Sequence, residues 1–154
     1  MQRLWRLAFI TSWGITVLAA CTPNTSTSAP APTLGVGSVG KQVTAQGGVY
    51  TDIPSQDLHA MLANKDFTFV NVHIPYEGDI AQTDVSIPYN EIDRNLSKLP
   101  PDKNAKIVLY CRSGRMSTEA AQVLVKQGYT HVFQLAGGMV AWENAGYPLI
   151  LNQK

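Results

Sequence analysis

One run constrains this chain more than any other: Ile107-Val108-Leu109-Tyr110-Cys111-Arg112-Ser113-Gly114-Arg115-Met116-Ser117. Four consecutive apolar residues without a turn signal read as a buried strand. The strand stops on a cysteine, crosses a short loop containing Ser, Gly and two Arg, and enters a helical pattern. Ser117 to Gln127 reads as a helix: Met116 just before it and Ala120, Val123, Leu124 and Gln127 within it recur at helical spacing, and Gly128 follows as a stop. This layout places one sulfur at the C-terminal end of a strand, in a loop whose amides can turn inward. It also sits beside a helix N-terminus with its partial positive charge. Such surroundings favour thiolate, the nucleophilic form, over thiol. Sulfur chemistry or anion binding is the expectation.

The rest of the pattern alternates in the same way. Val49-Tyr50 is a short strand candidate, and Pro54-Ser55 opens a helix with Ser55 as N-cap and Leu58, Met61 and Leu62 on one face. Phe67 to Val72 is β-rich, 75–84 is loop, and Val85 to Ile87 is a short edge strand. Glu91 to Leu99 forms a weak helical turn closed by Pro100-Pro101; His131 to Leu135 is another strand, and Met139 to Asn144 a last helix. Strands alternating with helices predict an α/β layer fold around a mostly parallel sheet. A ligand site in such a sheet lies at the carboxyl ends of the strands, where Cys111 falls.

The 154 residues suit one domain with extensions. Met1 to Arg6 is short and basic, Leu7 to Leu18 is mostly apolar, and Leu18-Ala19-Ala20-Cys21 follows. The apolar core of about a dozen residues is short for a membrane helix, which needs ~20, and fits a secretory signal. Its end resembles the lipobox of bacterial lipoprotein signals. That resemblance implies a signal peptide over 1–20 and lipidation of Cys21, with the folded domain extracytoplasmic. Acyl chains would anchor it to a bacterial membrane, at the periplasmic face or the cell surface, each buried CH₂ contributing about 0.8 kcal/mol. A lipidated Cys21 leaves Cys111 as the sole thiol. Residues 21–46 are rich in Ser, Thr, Pro and Gly and read as a disordered linker before a domain over 47–150. Net charge is +1, and removing Arg3 and Arg6 leaves 10 basic against 11 acidic residues, so no nucleic-acid partner is expected. Nothing speaks to oligomerisation, and a monomer is the default.

The chain from about Gly47 to Pro148 resembles the rhodanese-like domain family. The resemblance rests on the block 110–117 around Cys111, on Leu135-Ala136-Gly137-Gly138-Met139-Val140-Ala141-Trp142, and on Ala145-Gly146-Tyr147-Pro148. It implies a five-stranded parallel sheet flanked by helices. It also implies a catalytic Cys111 that takes sulfane sulfur from a donor such as thiosulfate, becomes a persulfide and passes the outer sulfur to a thiophile. Arg112, Ser113, Gly114, Arg115, Met116 and Ser117 would form the substrate loop. Gly114 supplies backbone freedom, the two arginines hold an anionic donor and lower the thiol pKa, and the serines add hydroxyls, Ser117 also capping the helix. The partner is then a small sulfur-containing anion or a thiol, with no cofactor.

Phosphatase relatives of this fold carry Cys-x₅-Arg, whereas the fifth and sixth residues after Cys111 are Met116 and Ser117. Many active family members have Arg where Met116 stands. The usual Asp-Val-Arg is replaced by Asn71-Val72-His73. Asn71 reads as structural, satisfying loop backbone. His73 either lines the site as a proton carrier or is a partly exposed structural histidine. His59 and His131 read as surface residues, Met139 and Trp142 as core. No histidine has metal-ligand spacing with Cys111, so no metal is expected. Two rivals to a sulfurtransferase stay open: a non-catalytic rhodanese-like binding module and a thiol-redox partner at the membrane surface.

Overall fold

The apolar runs lie side by side in one sheet whose parallel strands bring their carboxyl ends to a common edge. The structure, a computed structural model, describes residues 39–151. The signal segment, Cys21 and the linker as far as residue 38 lie outside the described residues. In chain order the strands are β1 (Lys41–Ala45), β2 (Gly48–Ile53), β3 (Thr68–Asn71), β4 (Val85–Ser86), β5 (Ile107–Tyr110) and β6 (Val132–Leu135). The helices are α1 (Ser55–Ala63), α2 (Arg115–Lys126) and α3 (Gly138–Asn144), with a kinked 3₁₀ segment over Tyr89–Lys98. Spatial order is β1-β2-β6-β5-β3-β4. All neighbours are parallel except β1 and β2.

The expected mostly parallel α/β fold is therefore present, with two corrections. The described sheet has six strands, not five, and the sixth is made from residues assigned to the linker. Lys41–Ala45 pairs antiparallel with β2, Ala45 opposite Gly48, across a two-residue loop in which Gly47 takes φ +101°. Val43 and Ala45 pack against the core while their neighbours face solvent. Two small apolar contacts at alternate positions suffice here because β2 supplies the ladder.

Two helix starts also differ from expectation. Pro54 occupies the N-cap of α1, and Ser55 is its first residue, with a buried hydroxyl that has no hydrogen-bond partner. Helix α2 begins at Arg115, capped in the backbone sense by Gly114 at φ +92°, so Ser117 sits in its first turn instead of capping it. A left-handed residue turns the chain sharply enough to start the helix two residues early.

β5 is buried at every position, and its side chains alternate. Ile107 and Leu109 face α2 and the 3₁₀ segment, together with Val70, Ala120, Ala121, Leu124 and Tyr129. Val108 and Tyr110 face α1 and α3, together with Leu58, Phe69, Leu135, Met139 and Trp142. A strand buried on both faces must read as continuous apolar sequence. The same period of two carries Cys111 to the α2 face. Met139 and Trp142 are core residues as expected, and His59 and His131 are exposed.

Two features hold the loops at the carboxyl edge. Tyr110 accepts the Ile80 amide (3.0 Å), donates to the buried Asp79 carboxylate (3.1 Å) and lies 2.7 Å from the Thr83 hydroxyl. Burial raises the Tyr110 phenol well above the usual tyrosine range. The second feature is α3. Its amides at Met139 and Val140 donate to the carbonyls of Cys111 (2.9 Å) and Arg112 (3.0 Å). This approach is possible because Gly138 has no side chain: a Cβ there would lie 2.2 Å from the Cys111 oxygen, at φ +59°.

Three outcomes are expected from denaturant titrations. Tyr110→Phe should lower unfolding free energy by about 1–3 kcal/mol, because the Asp79 carboxylate and Ile80 amide lose a buried partner. The wild-type protein should also lose stability as pH rises past about 10, because the unfolded chain releases this phenolic proton while the folded one retains it; Tyr110→Phe should flatten that decline. Gly138→Ala should cost about 3 kcal/mol or more and speed alkylation of Cys111 as the loop loosens.

Candidate active site

Cys111 follows directly on β5, and its residue is 1% exposed. One amide donor and one hydroxyl oxygen lie beside the sulfur. The Gly114 amide points at Sγ from 3.1 Å, and the Ser117 hydroxyl lies 3.6 Å away. The first is a consequence of the loop: the left-handed Gly114 swings its own N–H back toward residue 111, as a nest of turn amides does. Because Gly114 is also the α2 N-cap, the sulfur lies at the positive end of a twelve-residue helix. The surroundings on the strand side are apolar, so these few polar contacts dominate the local field.

Ser117 is itself fixed. Its hydroxyl lies 3.0 Å from the Gly114 carbonyl and 2.8 Å from Gln134 Oε1, and the Gln134 amide donates to Asp52 at 2.6 Å. A row of side chains thus runs from β2 through β6 to the sulfur. Sequence reading missed Gln134 and Asp52. The available signal was a glutamine at a core-facing position of an otherwise apolar strand, where an amide must find partners.

The arginines do not contact the sulfur as expected. Arg112 is 46% exposed in its side chain, and its Nη1 pairs with Glu77 at 2.8 Å. Arg115 is 60% exposed, pairs with Glu119 one turn along α2 and lies over the Tyr89 ring, 5.5 Å from its centroid. Tyr89 first, then Glu119, raises the Arg115 pKa further above its ordinary value. Ser113 is exposed on the loop, and Met116 is partly buried against the α2-face core. Cys111, Gly114 and Ser117 therefore converge, while Arg112 and Arg115 pair with carboxylates, Ser113 is exposed and Met116 packs against the cluster that contains Cys111.

β3 ends level with β5, Asn71 opposite Tyr110, so the segment after β3 runs beside the cysteine loop. Asn71 closes that segment at both ends: its oxygen accepts the His73 amide (2.9 Å), and its amide donates to the Gly78 carbonyl (2.9 Å) and to Asp79 Oδ1 (3.0 Å). The structural reading of Asn71 is borne out. The His73 imidazole is only 8% exposed, more buried than expected, and neither ring nitrogen has a hydrogen bond. Its Nε2 lies 3.4 Å from Glu77 Oε1, an electrostatic contact without hydrogen-bond geometry. Glu77, unnoticed in the sequence, joins His73 to Arg112. Among the described residues no three His, Cys, Asp or Glu side chains gather as a metal site requires.

Comparison with known proteins places the chain in a family. A family profile described as the Rhodanese-like domain matches residues 56–145. A protein named sulfurtransferase from Allochromatium vinosum is 36% identical over 104 residues, which span 64% of this chain and 94% of that protein. The thiosulfate sulfurtransferase PspE of Escherichia coli is 36% identical over 73 residues, 46% of this chain and 69% of its own length. A crystal structure of a rhodanese-related protein from Thermoplasma volcanium matches with a TM-score of 0.56 at 28% identity, covering 66% of this chain and 98% of that one. The matched span carries both the cysteine loop and the Gly137-Gly138 element that holds it, and this chain belongs to the rhodanese-like domain family.

Proposed function

We propose that the protein is a sulfurtransferase that works through a persulfide on Cys111. The observation that carries this reading is the Gly114 amide aimed at Sγ from 3.1 Å at the head of α2. A donated N–H and a helix N-terminus favour negative charge on sulfur, the form that attacks and the form of the persulfide product. The names of the two relatives above support the same activity.

With thiosulfate as donor, the Cys111 thiolate attacks the sulfane sulfur. A new S–S bond forms at Cys111, the S–S bond of the donor breaks, and sulfite leaves with its electron pair. In the second half the outer sulfur of the persulfide anion is taken by a thiophile such as cyanide. The Cys111 sulfur leaves with the bonding pair, regenerating thiolate beside thiocyanate. The Gly114 amide and the head of α2 hold the charged sulfur in both halves. A sulfur this buried is met by one protruding donor atom, which suits a terminal sulfane sulfur.

The proposal extends to location: a signal peptide over 1–20 and a lipid on Cys21 would tether the domain outside the cytoplasm at a bacterial membrane. The apolar run before Leu18-Ala19-Ala20-Cys21 supports this.

Incubating the purified protein with thiosulfate and recording its mass without reductant should give a gain of about 32 Da, the mass of one sulfur. The gain should vanish on adding cyanide and be absent in Cys111→Ala. No gain from any sulfane donor, with Cys111 open to alkylation, would make the protein a binding module. A mixed disulfide with a small thiol as main product would make it a redox partner.

A further inference from the structure

Glu77 has a carboxylate seated between two groups that would otherwise receive an anion. One oxygen is 2.8 Å from Arg112 Nη1, and the other is 3.4 Å from His73 Nε2. Arg112 is the residue after the nucleophile, and its backbone is fixed by the Val140 amide. His73 comes two residues after Asn71, which pairs with Tyr110, so the two groups flank the mouth of the cysteine loop from adjacent strands. His73 is nine-tenths buried and lacks a hydrogen bond on either nitrogen. A buried polar group in that condition is costly unless a partner arrives. Glu77 does not drift into this place by chance, because Asn71 clamps the segment at His73 and again at Gly78.

We propose that Glu77 is a specificity-determining residue, an internal competitor that holds the Arg112–His73 seat against doubly charged oxyanion donors. Donors that carry their terminal sulfur on a thiol, without an oxyanion group, are then the preferred class. This rests on the sulfurtransferase reading. For such a donor the Cys111 thiolate attacks the outer sulfur of R–S–SH, the donor S–S bond breaks, and R–S⁻ leaves with the electron pair, giving Cys111–S–SH. No oxyanion has to displace Glu77. Thiosulfate is a dianion, and its sulfonate-like end must compete with the carboxylate for Arg112.

The test compares thiosulfate with an alkyl persulfide that carries no oxyanion group in wild type, Glu77→Gln and Glu77→Asp, with thermal melts to confirm folding. Asp serves as the second variant because its shorter side chain falls short of both partners. The thiosulfate KM should fall about fivefold in Glu77→Gln at low salt, as expected for removing one partly screened charge, and by less in Glu77→Asp, which draws the charge back without removing it, with kcat little changed and the gain shrinking as salt rises. The KM for the alkyl persulfide should stay within about twofold. Adding Arg112→Gln to Glu77→Gln should abolish the gain. A thiosulfate KM unchanged or raised in folded Glu77→Gln, or an equal gain for both donors, would overturn the proposal. If no donor loads Cys111, the transfer reading fails by itself. Calorimetric titration of thiosulfate into Cys111→Ala, with and without Glu77→Gln, then decides the role of Glu77: tighter binding without the carboxylate supports it, and unchanged binding refutes it.

Discussion

Two hydrogen bonds carry the site. The amides of Met139 and Val140 in the first turn of α3 close on the carbonyls of Cys111 and Arg112. A helix N-terminus has amides without internal partners, and a loop leaving a buried strand has carbonyls without a ladder. Each end supplies what the other lacks. The arrangement demands contact between backbones, which explains the glycine at 138. With those carbonyls pinned, Gly114 has one course left into α2, and that course directs its amide at the sulfur. The nucleophile is thus oriented by main chain, which does not depend on rotamers.

This division of labour explains why the arginines sit where they do. Sγ is nearly inaccessible, yet it is not enclosed by hydrocarbon alone: an amide and a hydroxyl face it. The Gly114 amide and the end of α2 face the sulfur, while both guanidinium groups are balanced by carboxylates of their own. Arg115 is drawn away by Tyr89 and Glu119 on the exposed side of α2. Arg112 remains at the rim and is the only member of the pair placed to meet an arriving ligand.

Much of this was legible in the sequence because it depended on local pattern. Four apolar residues at 107–110 can only be a strand covered on both faces, and the alternation within them assigns Cys111 to its side. Asn71 was legible too, since a short amide at a strand end commonly ties down the following loop. What escaped notice was produced by packing between distant segments. Lys41–Ala45 has little apolar content and becomes a strand only because β2 lies beside it. The Glu77–Arg112 pair joins two loops brought together by β3 pairing with β5. Gln134 has no meaning until Ser117 and Asp52 stand on either side. Ser117 was misjudged as a cap because the positive φ of Gly114, which starts α2 early, has no sequence signature beyond the glycine itself.

The pairing of Asp79 with Ile150 has a mechanical consequence. Their main chains exchange hydrogen bonds in both directions, 2.8 and 2.7 Å long, and the Asp79 side chain is gripped by Tyr76, Tyr110 and Asn71. The stretch after α3 is thereby riveted to the segment that bears Glu77, two positions away. A displacement near Ile150 is therefore transmitted through main chain to the segment that carries Glu77, while the Gly114 amide beside the sulfur belongs to a different loop.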